Sequence, residues 1–405
     1  MDLCSVPCPA WLVNRIVQAG GSISFHQYMD WALHDQVYGA YASGQLHIGR
    51  QGDFATSPSL GADFAQLLAM QLADWFQQLQ QRVDKGRPLS LIEVGPGEGD
   101  LSADLISALE DLCPALIPRL ELVLVESNKA MAQRQRERLK SVSTVPIHWR
   151  SLDELAQAPA IGVMLAHEML DALPVERLVW RDQRLWRQGV CLENVDSVAH
   201  LRFTELSLTD ALHSALTEAR MCLGIQIPPP DAADGWCSEW HGELKSWLSQ
   251  AASALLCGPL LVIDYALEAR RYYSAMRPCG TLMAYRQQRA SGALLQDPGR
   301  WDLTAHLCLE TLQHQAEQQG WTFLGESRQG QALLALGLAE RLHALQSLPT
   351  SQLSAALNRR EALLRLVDPA GLGEFRWLAF ELRPKPSLDA EVGELRCRFL
   401  EDPVS

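Results

Sequence analysis

The stretch LIEVGPGEGD at 91–100 closes an apolar run with glycines at 95, 97 and 99 and carboxylates at 93, 98 and 100. A glycine loop after a strand lets a ligand lie close to the backbone, and many such loops cradle phosphate. This loop lacks the residues a phosphate needs. The dinucleotide fingerprint GxGxxG would put its third glycine where Asp100 stands, and the GK[ST] of a P-loop is absent. From Pro88 to Pro118 there is no Lys or Arg, while Glu93, Glu98, Asp100, Asp104, Glu110 and Asp111 are all present, so a pyrophosphate would meet repelling side chains.

The spacing that does fit is ExGxGxG, from Glu93 through Gly95, Gly97 and Gly99 with Pro96 between the first two glycines. It is similar to the first-strand loop of nucleoside-dependent methyltransferases. S-adenosylmethionine carries a sulfonium cation and no phosphate, so it tolerates nearby carboxylates, and an acidic shoulder can bind its ammonium directly or through water. Glu126 ends the next apolar run, LVLVE, where a doubly wound sheet places an acid that accepts from both ribose hydroxyls. Alone, a strand-ending glutamate is more often solvated; after this loop the ribose role is the favoured reading of Glu126. Leu152 and Asp153 follow the third run and are candidates to flank an adenine edge, although an N-cap role explains Asp153 equally well.

Methyl transfer from a sulfonium is an in-line displacement, so the chain chiefly has to align a nucleophile and stabilise charge. The candidates for that work are Glu168 and Asp171, after the fourth apolar run, where open α/β sheets bind ligands. For Asp171, capping a turn ahead of Pro174 is the rival role. Asp53 sits on a glycine-flanked loop that could close as a lid, or could simply stabilise a turn. Asp264 and Tyr265 end the fifth run and are expected at the pocket floor, beside His167. Asp302 and His306 are expected on one side of a helical turn in DLTAHL, supporting the site from behind or with Asp302 as an N-cap.

Short apolar runs alternate with helical periodicity from Leu89 onward: LSLIEV, DLSADLISALEDL, LELVLVE, KAMAQRQRERLK, VPIHW and then IGVMLAHEML. This alternation implies βαβ units and a parallel sheet, with GPLLVIDY at 258–265 as a fifth strand. Before it, Ser24 and Gln27 form a capping-box pattern, and Ser57 followed by Pro58 suits an N-cap with Pro at N1. Between the fourth and fifth strands, VERLVWRDQRLWRQGVCLE reads as a hairpin turning at Asp182 and Gln183, with helical segments from there to Cys257. A helix near 307–319, the strand WTFLGE, two amphipathic helices and the strand FRWLAFEL complete the chain. The expected divisions are a helical cap and lid loop over 1–88, a cofactor-binding half over 89–175, an insertion over 176–257, a second half over 258–383 and a tail over 384–405.

The 405 residues are 47% hydrophobic and can bury a substantial core. A formal net charge of -13 argues against nucleic acid or an anionic membrane as a partner and favours a protein or small molecule. Ten cysteines without CxxC spacing read as reduced thiols of a cytosolic protein, and neither they nor the histidines form a metal-ligand pattern. No apolar run reaches membrane-spanning length, and the N-terminus lacks the basic region of a signal peptide. The 12 tryptophans are dispersed, with Trp75, Trp180, Trp186 and Trp247 at core-like positions, so packing is their expected role.

Five ordered motifs, GRQGDFATSP at 49–58, LIEVGPGEGDL, HEMLDALP at 167–174, IDY at 263–265 and PGRWDLTAH at 298–306, together resemble the MidA-type methyltransferases from about Ile23 to Leu382. The resemblance implies a doubly wound, seven-stranded, Rossmann-like α/β sheet with a helical N-terminal cap and an α+β insertion shaping the acceptor site. It further implies S-adenosylmethionine as cofactor and N-methylation of an arginine in a partner protein, such as a respiratory complex subunit with a basic segment. A guanidinium enters charged, and paired carboxylates, Glu168 first and Asp171 second, would hold it bidentately. The chain departs from the family pattern at Ala40, His167, Ala266 and Gln288, while the cofactor loop is intact. A small-molecule methyltransferase and a non-catalytic assembly protein retaining the fold are the alternatives.

Overall fold

Seven short strands with apolar residues on both faces build the centre of the molecule, seen in a computed structural model that describes residues 5–41, 46, 56–84, 86–142, 144–383 and 393–402. They are β1 (Leu89–Val94), β2 (Leu120–Val125), β3 (Ile147–Trp149), β4 (Ala160–His167), β5 (Leu255–Asp264), β6 (Thr322–Arg328) and β7 (Arg376–Leu382). Their order across the sheet is β6-β7-β5-β4-β1-β2-β3. β1 pairs in parallel with both β2 and β4, β4 with β5, and β2 with β3, whereas β7 runs antiparallel between β5 and β6. The chain therefore winds outward from β1 through β2 to β3, then returns to the other side of β1 as β4. That reversal opens a crevice at the carboxyl ends of β1 and β4.

The pleat divides each strand between two cores. Leu89 and Leu91 of β1, with Val163 and Leu165 of β4, pack under the helices Asp63–Arg82 and Asp100–Leu112, while Ile92, Met164 and Val262 face the helix Glu243–Ala254. Burial on both faces is why these strands read as unbroken apolar runs. Gly162 of β4 belongs to this close packing, since a Cβ there would fall 1.8 Å from the Ser90 carbonyl oxygen.

Beside the central sheet the chain builds a second one. Its strands are Val6–Pro7, 198–206, 184–195, 176–181 and 237–240, and Ser22–Ser24 pairs with 184–195. The N-terminal segment and the insertion thus share one sheet and one apolar cluster, in which Phe25 and Met29 of the helix Phe25–His34 meet Val175, Val190 and Leu201. The hairpin turns at Asp182 and Gln183, both with positive φ, as its sequence implies.

Several local expectations are corrected. The stretch 196–257 is not purely helical: it contains the strands Val198–Leu206 and Cys237–Trp240 besides two helices. The first is entered through a second two-residue turn, Asp196-Ser197, made of polar non-glycine residues at positive φ. Ser57 does stand at the N-cap position, with Pro58 first, of the short 3-10 turn Pro58–Leu60, but its backbone is αR and its hydroxyl makes no capping bond, bonding the side-chain amide of Gln329 instead. Three helices rather than two precede the last strand, at Gln329–Ala335, Leu338–Gln346 and Leu353–Leu366. Trp75 and Trp247 are buried, but Trp180 and Trp186 are only half-buried on the insertion sheet. The nine described cysteines are all free thiols, and no helix among the described residues is long and apolar enough to cross a membrane.

Candidate active site

The crevice above β1 and β4 is a cavity of about 800 Å³. Gly95 and Gly97, with φ of 67° and 52°, and Gly99, with φ of 87°, turn the chain from β1 into the following helix. These are left-handed conformations in which a side chain is strained. Behind the loop Glu93 is buried and accepts a hydrogen bond from the Ser102 hydroxyl, and burial pushes its carboxyl up to about 7. The loop is less naked than its sequence implies. Arg134, from the helix Lys129–Arg138, donates to Glu98 at 3.0 Å, and Arg138 pairs with Asp100. The local lack of cations between 88 and 118 is thus offset from outside, and those two acids are neutralised rather than free for a ligand.

From the loop the cavity passes Glu126, whose Oε1 accepts from the Asn128 amide at 2.7 Å and whose Oε2 accepts from Gln135 Nε2 at 3.0 Å. Gln135 also donates to the Gly97 carbonyl at 2.8 Å and accepts from Trp149 Nε1 at 2.9 Å. One buried amide thereby locks the glycine loop to the ends of β2 and β3. Leu152 and Asp153 line the cavity after β3, but the N-cap there is Ser151, in a reciprocal box with Glu154, so capping does not account for Asp153.

At the end of β4 the chain makes an abrupt turn. Glu168 has φ of 49°, in the left-handed region that a glutamate enters at a cost of order 1 kcal/mol or more. The conformation is held by its amide donating to the Ile263 carbonyl at 2.8 Å and turns its carboxylate into the cavity. Glu168 Oε1 is buried without a hydrogen-bond partner, 3.4 Å from His167 Nε2, which is also unpartnered. This contact is not an ion pair, because burial lowers the imidazole to about 3 and keeps it neutral. Burial, with Asp264 and Asp302 nearby, pushes the Glu168 carboxyl well above its ordinary range, opposed by a hydrogen bond from the Ser57 amide.

Asp171 and Asp302 join Glu168 in the cavity wall, and both are almost fully buried. Asp171 is raised by the same causes, burial first and then Asp264, Asp302 and Glu168. It lies within the short 3-10 turn Leu170–Ala172, whose N-cap is Met169, so it is not the cap of that turn. Asp302 stands on the short strand Asp302–Thr304, not in a helical turn, and it accepts from the Tyr41 hydroxyl at 2.8 Å.

Asp264 is not part of the cavity wall. It is wholly enclosed, and its oxygens accept from the amides of Leu170, Asp171 and Tyr265 at 3.0, 3.2 and 2.8 Å, so it shapes the Glu168–Asp171 loop from beneath. Tyr265 does face the cavity, with His306 stacked on its ring at 5.3 Å and outside the wall. Asp53 lies outside the described residues.

His34, Tyr41, Tyr285 and Trp247 also line the cavity and were not foreseen. They come from the N-terminal segment, the hairpin after β5 and the helix Glu243–Ala254, and nothing local marks them as site residues. The described wall carries ten Asp and Glu side chains and no Lys or Arg. Among the described residues no cluster could hold a metal ion.

A doubly wound sheet with this strand order, a glycine loop after β1 and an acid after β2 defines a class I S-adenosylmethionine-dependent methyltransferase. Residues 67–327 match the Methyltransf_28 model, described as "Putative S-adenosyl-L-methionine-dependent methyltransferase", and the chain belongs to that family. Over 99% of both chains it superposes, with a TM-score of 0.80 and 27% identity, on the crystal structure of a COG1565 superfamily member from Burkholderia thailandensis bound to S-adenosyl-homocysteine. Among curated proteins it is 26% identical over 386 residues to the mitochondrial protein arginine methyltransferase NDUFAF7 of Danio rerio, covering 90% of this chain and 84% of that one. It is 25% identical to the human protein of the same name, covering 92% and 82%.

Proposed function

We propose that this methyltransferase modifies a guanidinium nitrogen of an arginine in a protein with a basic segment. The observation that carries the reading is Glu168 Oε1, buried and unpartnered among Asp171, Asp302 and Asp264, in a wall that has no Lys or Arg among the described residues. A buried acid cluster of this kind is costly unless a cation enters it, and a planar guanidinium offers paired N–H donors where a bare ammonium offers a point charge. The names of the curated relatives support the choice of arginine.

The residues present suit S-adenosylmethionine on chemical grounds: oxygen acceptors and glycine backbone line the crevice, and among the described lining residues no Lys or Arg opposes a sulfonium. When bound, it supplies a methyl group whose carbon–sulfur bond breaks with the electron pair left on sulfur. Gly95, Pro96 and Gly97 would lie against its amino-acid portion, with Glu93 holding the loop from below. Glu126 would accept from the ribose hydroxyls, and Leu152 and Asp153 would flank the adenine edge. Glu168 orients the acceptor guanidinium so that one nitrogen points along the displacement axis, with Asp171 as second acceptor. The attacking nitrogen sheds one proton as it gains the methyl, and the adjoining carboxylate takes that proton. His167 and Tyr265 pack the acceptor side and exclude water.

The test is transfer of labelled methyl from S-adenosylmethionine into a lysate of the source cell, followed by acid hydrolysis. Label in methylarginine with wild type, and none with Glu168→Gln, is expected. Label confined to small molecules would overturn the arginine reading, and no transfer at all would favour a scaffold that keeps the fold.

A further inference from the structure

A second cavity of about 520 Å³ adjoins the first, and His26 and Glu243 line both. These two side chains meet at 3.0 Å between His26 Nε2 and Glu243 Oε1, forming a polar partition between the chambers. The segment after Glu168 runs the same way: Leu173 and Pro174 line the first chamber and Glu176 the second. The second chamber has an apolar floor from Leu212, Leu223 and Trp240. Two of its lining residues carry acceptor atoms, Glu176 Oε2 and Gln315 Oε1, that are buried and without a hydrogen-bond partner. Its charged lining is three glutamates, Glu176, Glu218 and Glu243, against the single Lys245, with His314 paired to Glu218. The space is of ligand-binding size and asks for N–H donors and positive charge.

We propose that the second chamber is an exosite for the acceptor protein, taking a basic residue that flanks the methylated arginine on one side of it. The proposal rests on the arginine reading above and adds a determinant of sequence choice. The chambers adjoin at the His26–Glu243 pair, and an extended peptide that crosses over this pair would occupy both, its arginine toward Glu168 and a neighbouring lysine or arginine toward Glu176. Glu176 is held in place by Arg187, which donates to Oε1 at 3.0 Å, while Oε2 is buried and without a partner. The charge of the chamber opposes an acidic flank, so discrimination has a repulsive as well as an attractive part.

The probes are synthetic nonapeptides with one central arginine in a glycine-serine background, carrying a single lysine at each other position in turn. Binding is followed by fluorescence anisotropy with S-adenosylhomocysteine present, and methyl transfer is measured separately on the same peptides. Lysine on one side only should tighten binding about tenfold over the lysine-free peptide, as a buried charge pair can. Two variants should bring that gain to nearly one: Glu176→Gln, and Ala211→Trp, which fills the chamber from an exposed position on the helix Asp210–Leu223 without removing an ion pair. Thermal melting identifies a variant that has failed to fold. Absence of any lysine preference, or its persistence in a folded Ala211→Trp, overturns the exosite. Preference in binding without methyl transfer to any peptide would leave the exosite standing and sink the arginine reading, so the two fail separately.

Discussion

Glu168 is where the chemistry and the backbone meet. A left-handed glutamate is uncommon, and here one of its oxygens is buried without a hydrogen-bond partner beside His167, with three more acids nearby. Glu168→Gln keeps the size of the side chain but removes its charge, so it should lower kcat/KM about 10²-fold or more while the affinity for S-adenosylhomocysteine is unchanged by calorimetry. The same cluster sets a pH dependence. Burial and mutual repulsion raise the carboxyls of Glu168 and Asp171, so each holds its proton above the usual carboxylate range. A cationic acceptor needs them ionised; below their raised pKa values the site is neutral and binds it poorly. Initial rates at subsaturating acceptor should therefore climb as pH rises above the ordinary carboxylate range, and a flat profile there would contradict the assignment. At the cofactor loop, Gly97 has φ of 52°, so Gly97→Val brings both a strained backbone and a side chain facing the ligand. Loss of S-adenosylmethionine binding in a folded protein is the expected outcome.

At the level of elements, the site is the meeting of strand ends that the parallel register aligns. β1 contributes the glycine loop, β2 Glu126, β4 Glu168 and β5 Tyr265, because strands paired in register end at one level. That register depends on close approach of β1 and β4 at Gly162, where a Cβ would collide with backbone atoms of Ser90 that cannot swing aside. Gly162→Ala should cost about 3 kcal/mol, the upper end for overpacking, with a fall in the urea midpoint to match. A midpoint within error of wild type would show that the strands can part without penalty. Gln135 acts at the same level, tying the loop to two neighbouring strand ends through a single amide.

Across the whole molecule, the N-terminal strands and the insertion form one sheet, and the cavity at the strand ends of the central sheet is also lined by the helices Phe25–His34 and Glu243–Ala254 and by the strands Met283–Arg286 and Asp302–Thr304. The helix Phe25–His34 packs on the second sheet, so a ligand in that cavity touches elements that rest on both sheets and should stabilise them together. At a concentration of 100 times its Kd, S-adenosylhomocysteine should add about 2.7 kcal/mol to unfolding free energy, visible as a rise of the melting temperature in a thermal-shift assay. A first transition that ignores the ligand while a second moves would mean that the two sheets unfold separately.

The elements of the parallel sheet and the cofactor loop were legible in the chain itself, because burial on both faces demands apolar runs and a close-bound ligand demands glycines at set intervals. The strand Val198–Leu206 was not, since its residues are mostly half-exposed and its turn has no glycine. Nor was the charge state of the loop: Arg134 and Arg138 lie more than thirty residues from the acids they neutralise, a separation only the β1–β2 pairing closes. Sequence alone placed Glu168 and Asp171 at a strand end, where the fold class binds ligands. Tertiary structure alone decided that Tyr41 and Tyr285 join them, that Asp302 stands in the wall itself, that Asp264 withdraws beneath the loop, and that a second chamber opens beyond His26. Local pattern reports which surface of an element is buried, but the partners that bury it come from elsewhere in the chain.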